Sequence, residues 1–289
     1  MIFRIRHETR FTYDAPAYES HNELRVAPVD GVGQRCLGFT LTTDPGAAVL
    51  EYADAFGNRV HAVSVHPPHD ALSIVAESVV ERVAPAPSRA RDVSFAEFLG
   101  EDDARTQEQH EFLSPSRYVP FGDRLRRFFW QARPASTEGV SEYVARLVAY
   151  VRDQFEYEAG RTDVHSTAED ILVTGGGVCQ DFAHLTIGLL RLAGVPARYV
   201  SGYLAPLGDG TVVPAQQATH AWVEARLPGA GWAGFDPTHR GPVQLEHVRV
   251  GVGRDYGDVT PVRGVYRSRG KTQAMGVEVR VEEVGAGEQ

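Results

Sequence analysis

The stretch Gly175-Gly176-Gly177-Val178-Cys179-Gln180-Asp181-Phe182-Ala183-His184-Leu185 decides how the chain is read. Phe182, Leu185, Leu189, Leu192 and Ala193 share one helical face, so Val178 to Ala193 is predicted to be a helix. Three glycines open it and Gly194-Val195-Pro196 closes it. Cys179 then falls in the first turn, where backbone N–H groups lack partners and the helix dipole is positive. Such a setting favours thiolate and lowers a cysteine pKa from about 8.5 into the range of roughly 3.5–7.5. The glycines also let a substrate backbone approach closely, which makes Gly177 and its neighbour Gln180 substrate-binding candidates. A free cysteine is more often a small buried hydrophobe. That reading is adopted for Cys36, between Arg35 and Leu37 in a β region, and set aside for Cys179.

A thiol nucleophile needs a base, and the base needs an orienting carboxylate. Thr219-His220-Ala221-Trp222-Val223-Glu224-Ala225 alternates as a strand, with His220, Trp222 and Glu224 on one face. Trp222 is thereby a third substrate-binding candidate. The next strand, Trp232-Ala233-Gly234-Phe235-Asp236-Pro237, ends in a carboxylate. Pairing His220 with Asp236 sets Glu224 opposite Trp232 and leaves Leu227-Pro228-Gly229 as the loop. Pro228 sits awkwardly in such a loop, so a register shifted by two is equally open. Alone, His220 and Asp236 would each be read as structural; their joint occurrence after a glycine-flanked helical cysteine favours chemistry. His184 lies about 140° around the helix from Cys179 and is read as structural. Asp181 in the first turn favours the helix dipole. A metal site of Cys179, His184, His220 and His239 is the rival chemistry, but the short ligand spacings of structural zinc sites are missing. No metal and no cofactor are expected.

Outward from this centre, Val140, Tyr143, Val144, Leu147, Val148, Val151 and Phe155 predict an amphipathic helix capped by Ser136 and Thr137. Strands are predicted at Ala197 to Leu204, His220 to Leu227, Gly231 to Asp236, Val243 to Val250 and Val277 to Val281. Helices followed by antiparallel strands make this part α+β. Residues 1 to 83 read as short strands, at Phe3–His7, Phe11–Tyr13, Phe39–Thr42, Val60–Val65 and Leu72–Ala76. Turn signals separate them, the first at Asp14-Ala15-Pro16, and a β-sandwich domain is expected. Val83 to Arg91 reads as a proline-punctuated linker, and 84–135 as linker plus a helix-prone segment whose Phe95, Phe98 and Leu99 form an apolar face. The core is placed at 136–289.

The 289 residues are 43% hydrophobic and 23% charged, the balance of a soluble globular protein. A net charge of −9 disfavours nucleic acid as the main partner. No apolar run is long enough to span a bilayer, and Met1 to Arg10 holds no secretory signal. Two cysteines cannot build a disulfide framework, so a reducing cytoplasm and no membrane partner are expected. The oligomeric state is not legible.

Four segments together resemble the bacterial transglutaminase-like superfamily. They are Gly176-Gly-Val-Cys-Gln-Asp-Phe-Ala-His-Leu185, Arg191-Leu-Ala-Gly-Val-Pro-Ala-Arg-Tyr-Val-Ser-Gly-Tyr203, His220-Ala-Trp-Val-Glu224 and Gly231-Trp-Ala-Gly-Phe-Asp-Pro-Thr-His239. Gly253 to Gly264 is similar to the tail of that group, and the first 80 residues to the β-sandwich domain preceding its core. The resemblance implies a papain-like α+β core with Cys179 as nucleophile, His220 as base and Asp236 orienting the base. It also implies Tyr157 as an oxyanion donor beside the Cys179 N–H. The implied reaction is acyl transfer from an amide, peptide or protein substrate through a thioester, with hydrolysis leading. Crosslinking of glutamine to amines and a catalytically silent binding module are the alternatives. Lys271 is the one lysine in the chain, which would spare a crosslinking enzyme from modifying itself; compositional bias explains it equally well.

Overall fold

In the structure, a computed structural model, alternating buried and exposed side chains run from Ile2 to Leu24 as one strand, β1 (Ile2–Leu24). The structure describes residues 1–31, 33–84, 92–100, 107–206, 218–239 and 241–284. Strands β2 (Gln34–Asp44), β3 (Val49–Ala53), β4 (Arg59–Val65) and β5 (His69–Arg82) follow. The turn expected at Asp14-Ala15-Pro16 is a bend instead: pairing with β5 breaks after Thr12 and resumes at Ala17. The first half of β1 therefore pairs with β5, and its end, Ser20 to Leu24, pairs with β4. The sheet curls on itself, and Leu72 and Ile74 of β5 bury with Val63 and Val65 of β4 against Phe11 and Leu24. The expected sandwich is thus a single folded sheet, in the order β2-β5-β1-β4-β3.

The middle of the chain supplies α1 (Phe95–Gly100), α2 (Gln107–Glu111), α3 (Asp123–Ala132) and α4 (Val140–Gln154). Phe95 is buried and Phe98 partly so, but Leu99 points outward at 47% exposure, which corrects the predicted apolar face. The predicted linker lies outside the described residues from 85 to 91. Helix α4 buries Val140, Tyr143, Val144, Leu147, Val148 and Val151, as its stripe requires. Each Val or Leu so buried contributes about 1.5–3 kcal/mol. Ser136 and Thr137 do not cap it. Gly139 holds that position, and the Asp92 carboxylate accepts the Ser141 and Glu142 N–H groups at 2.9 and 3.3 Å.

Short elements β6 (Glu156–Tyr157), α5 (Ile171–Thr174) and β7 (Gly176–Gly177) lead into α6 (Cys179–Leu192). A second antiparallel sheet follows, built from β8 (Ala197–Leu204), β9 (Thr219–Leu227), β10 (Gly231–Asp236), β11 (Gly241–Pro242) and β12 (His247–Gly253). Its order is β11-β10-β9-β8-β12. Phe182, Leu185 and Leu189 of α6 join the α4 stripe and Val223 and Ala225 of β9 in one core.

Two last strands, β13 (Val262–Ser268) and β14 (Gln273–Glu283), return to the first sheet. Both pair with β1, β13 along its second half and β14 along its first. Residues 262–283, expected within the core, therefore complete the N-terminal sheet. The two sheets meet through Phe3, Ile5 and Val80 on one side and Tyr203, Val248 and Val250 on the other. At this seam His7 Nδ1 lies 2.9 Å from the Tyr203 hydroxyl, which donates to the Val26 carbonyl at 3.2 Å. Among the described residues no helix is long and apolar enough to cross a membrane.

Candidate active site

Backbone conformation demands the first of the three glycines before Cys179, and packing the other two. Gly175 ends α5 with φ of 74°, in the left-handed region that a side chain strains. A Cβ on Gly176 would strike the Glu156 carbonyl oxygen, because β6 and β7 pair in parallel there. On Gly177 it would enter the Asp181 carboxylate, 2.8 Å from Cγ. That carboxylate accepts the Val178 N–H at 2.8 Å and the Thr162 hydroxyl at 2.6 Å, so Asp181 caps α6 in addition to favouring its dipole.

Pairing of Glu156 with Gly176 and Tyr157 with Gly177 sets Tyr157 over the start of α6. The Tyr157 hydroxyl lies near the backbone N–H and the sulfur of Cys179. Burial, and then the nearby Cys179 charge, push the phenol up to about 12, which keeps it a neutral O–H donor. Tyr157 is 39% exposed, at the open side of the group.

His220 lies at the start of β9, with Nε2 2.7 Å from Asp236 Oδ2. The Cys179 sulfur neighbours the same ring, so His220 is within reach of both that sulfur and the Asp236 carboxylate. Burial disfavours a charged ring here. Asp236 and the sulfur outweigh it and push His220 up to about 10. Asp236 is fully buried, which alone would raise its carboxyl, but hydrogen bonds from His220, His239 and His247 hold it well below the usual carboxylate range.

The hairpin register differs from the first pairing expected. Glu224 faces Gly234, and Val223 faces Phe235, a shift of two. The turn explains it. Pro228 and Gly229 are its central residues, Gly229 has φ of 66°, and the Ala230 N–H donates to the Leu227 carbonyl at 3.2 Å. That is where a type II turn wants proline and glycine.

Asp236 collects more partners than were foreseen. Oδ2 accepts from His220, from His239 Nδ1 at 2.7 Å and from His247 Nε2 at 3.0 Å. Oδ1 accepts from the Thr238 N–H at 2.8 Å and its hydroxyl at 2.6 Å. His247 was missed because it stands eleven positions beyond Asp236 on β12, two strands beyond β9 in the sheet, at a spacing no ligand or triad pattern uses. His184 is elsewhere: fully buried, stacked on Tyr118 and accepting the Tyr256 N–H at 3.2 Å. The rival cluster of Cys179, His184, His220 and His239 is therefore not assembled.

The substrate-binding candidates are placed differently from expectation. Trp222 is 2% exposed and packs with Val200 and Val252, its ring edge-on to His247 at 5.3 Å. It supports the histidines from below and offers no surface to a substrate. Gln180 is buried, and its amide donates to the Val164 carbonyl at 3.3 Å, tying the loop after β6 to α6. Gly177 is filled against by Asp181. Cys36 lies in β2, half-buried, with its thiol pushed up by burial.

Known proteins resemble this chain in sequence and in fold. Residues 3–81 match the family model of the bacterial transglutaminase-like N-terminal region, and residues 131–237 that of the transglutaminase-like superfamily core. An uncharacterized protein of Mycobacterium leprae is 36% identical over 93% of this chain and 94% of its own length. A protein-glutamine gamma-glutamyltransferase of Pseudomonas aeruginosa is 32% identical over 43% of this chain and 19% of its own. A crystal structure from Cytophaga hutchinsonii, described as a putative cysteine protease, superposes with a TM-score of 0.78 at 23% identity, covering 99% of this chain and 92% of that one.

Proposed function

The chain belongs to the bacterial transglutaminase-like superfamily, and from that premise we propose that it is a cysteine hydrolase cleaving amide or peptide bonds through a thioester. The observation carrying this reading is His220, hydrogen-bonded to the buried Asp236 at 2.7 Å and pushed towards its charged form by that carboxylate and by the neighbouring Cys179 sulfur. A buried imidazolium between thiolate and carboxylate is the activated state of a Cys-His pair.

In the proposed reaction the Cys179 thiolate attacks the amide carbonyl and a sulfur–carbon bond forms. The carbonyl oxygen gains negative charge, which the Cys179 N–H and the neutral Tyr157 hydroxyl would receive. The carbon–nitrogen bond then breaks, and His220 gives its Nδ1 proton to the leaving amine. Water next attacks the thioester, His220 takes its proton, and the sulfur–carbon bond breaks to release the acid. Asp236 keeps the ring oriented throughout and stabilises its charge whenever Nδ1 carries the proton. An amine in place of water would give transfer, the reaction named for the Pseudomonas relative.

The reading is tested by incubating the full chain with casein and with glutaminyl peptides, with and without a labelled primary amine. New carboxyl or amine termini that vanish in Cys179→Ala support hydrolysis. Amine incorporation exceeding hydrolysis makes the protein a transferase, and no thioester chemistry under either condition overturns the reading.

A further inference from the structure

Three imidazoles converge on Asp236 from three separate places: β9, the turn after β10, and β12. One donor atom from each of His220, Asp236, His239 and His247 lies within 4.8 Å of the other three. A triad needs one of these histidines. With the two Thr238 donors, five groups point at one carboxylate that offers about four lone-pair sites, so the imidazoles are gathered more densely than its hydrogen bonding demands. We propose that His220, Asp236, His239 and His247 form a binding site for a divalent transition-metal ion of the zinc kind, and that its occupancy switches the enzyme off.

The donor set suits that ion. Three imidazoles and one carboxylate match zinc, whereas calcium and magnesium take oxygen ligands. Zinc bonds of about 2.0–2.2 Å set tetrahedral ligand atoms about 3.3 Å apart, so the three imidazoles must close towards one another while Asp236 Oδ2, now 2.7 to 3.0 Å from each, backs away to admit the ion. His239, whose side chain is 57% exposed, has the freedom to make the largest movement and opens the group to solvent. Outer partners are in place as well, as zinc ligands require. Thr238 holds the far oxygen of Asp236. His247 Nδ1 accepts the Gln244 N–H at 3.3 Å with the Glu246 carboxylate 3.9 Å away, so ligation through Nε2 requires Nδ1 to exchange that N–H for the carboxylate.

The count of ligands sets the consequence. Four protein donors fill a tetrahedron and leave no position for water or substrate, so this is no metallohydrolase centre. The ion would take the Nε2 lone pair of His220 and separate it from Asp236, removing the base. This second half rests on the proposed role of His220; the binding site does not.

The experiment uses the chelator-stripped full chain, with Zn2+ titrated by calorimetry and Co2+ followed by visible absorption. Binding of one Zn2+ per chain is expected, with a Co2+ spectrum free of thiolate charge transfer. Binding should weaken about tenfold or more in His239→Ala and persist in Cys179→Ala. Loss of binding in Cys179→Ala, unchanged binding in His239→Ala, or no binding at all overturns the site. Hydrolysis that continues with the ion bound overturns the switch. Zinc binding without any hydrolysis leaves the site standing and defeats the proposed function instead.

Discussion

His220 and Asp236 meet diagonally across their hairpin. Nε2 and Oδ2 are 2.7 Å apart, while the register that pairs Val223 with Phe235 sets Trp222, not His220, opposite the aspartate. A shift of two keeps both side chains on the same face, so the contact survives; a shift of one would have sent them to opposite sides of the sheet. The buried indole of Trp222 fills the space beneath this diagonal and fixes how far the imidazole can tilt.

Asp236→Asn removes the charge that sustains the His220 imidazolium. Turnover is expected to fall by about 10²–10⁴-fold. Because His220 is pushed up to about 10, the alkaline limb of the wild-type rate profile should lie there. In the variant it should move down towards the ordinary histidine value of about 6.5. A limb left near its wild-type position would show that Asp236 does not hold the proton on His220.

Tyr157→Phe deletes one hydroxyl at the open side of the site and little packing. A lost oxyanion donor costs about 10²–10³-fold in rate, and that fall is expected with an unchanged melting temperature. An unchanged rate would leave the Cys179 N–H without the partner assigned here.

Trp222→Phe separates support from substrate contact. A support residue lowers stability and kcat while KM stays within about twofold; a substrate contact raises KM. Thermal unfolding together with steady-state kinetics distinguishes the two, and a rise in KM alone would return Trp222 to the binding surface.

Gly177→Ala forces a methyl into the Asp181 carboxylate that caps α6. Overpacking of this kind costs about 1–3 kcal/mol. A variant as stable as the wild type in urea titration would show that Asp181 can step aside.

The helix that begins at Cys179 and the stripe of α4 were legible because each carries its signal within one short segment. The glycines around Cys179 were also legible, though for another reason than first supposed: they admit Glu156 and Asp181 rather than a substrate. What was not legible depends on distant partners. Asp92 caps a helix 48 residues away, β14 closes a sheet begun at Ile2, and His247 joins Asp236 from the far edge of its sheet. Periodicity reports which face is buried and not what lies against it. Trp222 shows the same limit, since alternation put it on the face of His220 without saying that this face is covered.

Stability should fall on both sides of neutrality, for opposite reasons. Burial lowers His7 to about 4, and burial with the Arg191 charge lowers His184 to about 3, against 6.5 for each when unfolded. Between 6.5 and those values the unfolded chain binds protons that the folded chain refuses, so stability declines as pH falls. Each histidine shifts the unfolding equilibrium by about tenfold per pH unit in that window. His220 acts the other way: its folded value near 10 exceeds the unfolded 6.5, so its contribution is whole below 6.5 and drains away as pH rises towards 10. Urea unfolding across pH 4 to 10 should therefore trace a dome about neutrality. His7→Gln, at the seam between the two sheets, should lower the dome and remove about one proton from the slope of its acid side. An acid slope identical to that of the wild type would mean that His7 is already charged in the folded protein, in conflict with its burial beside Tyr203.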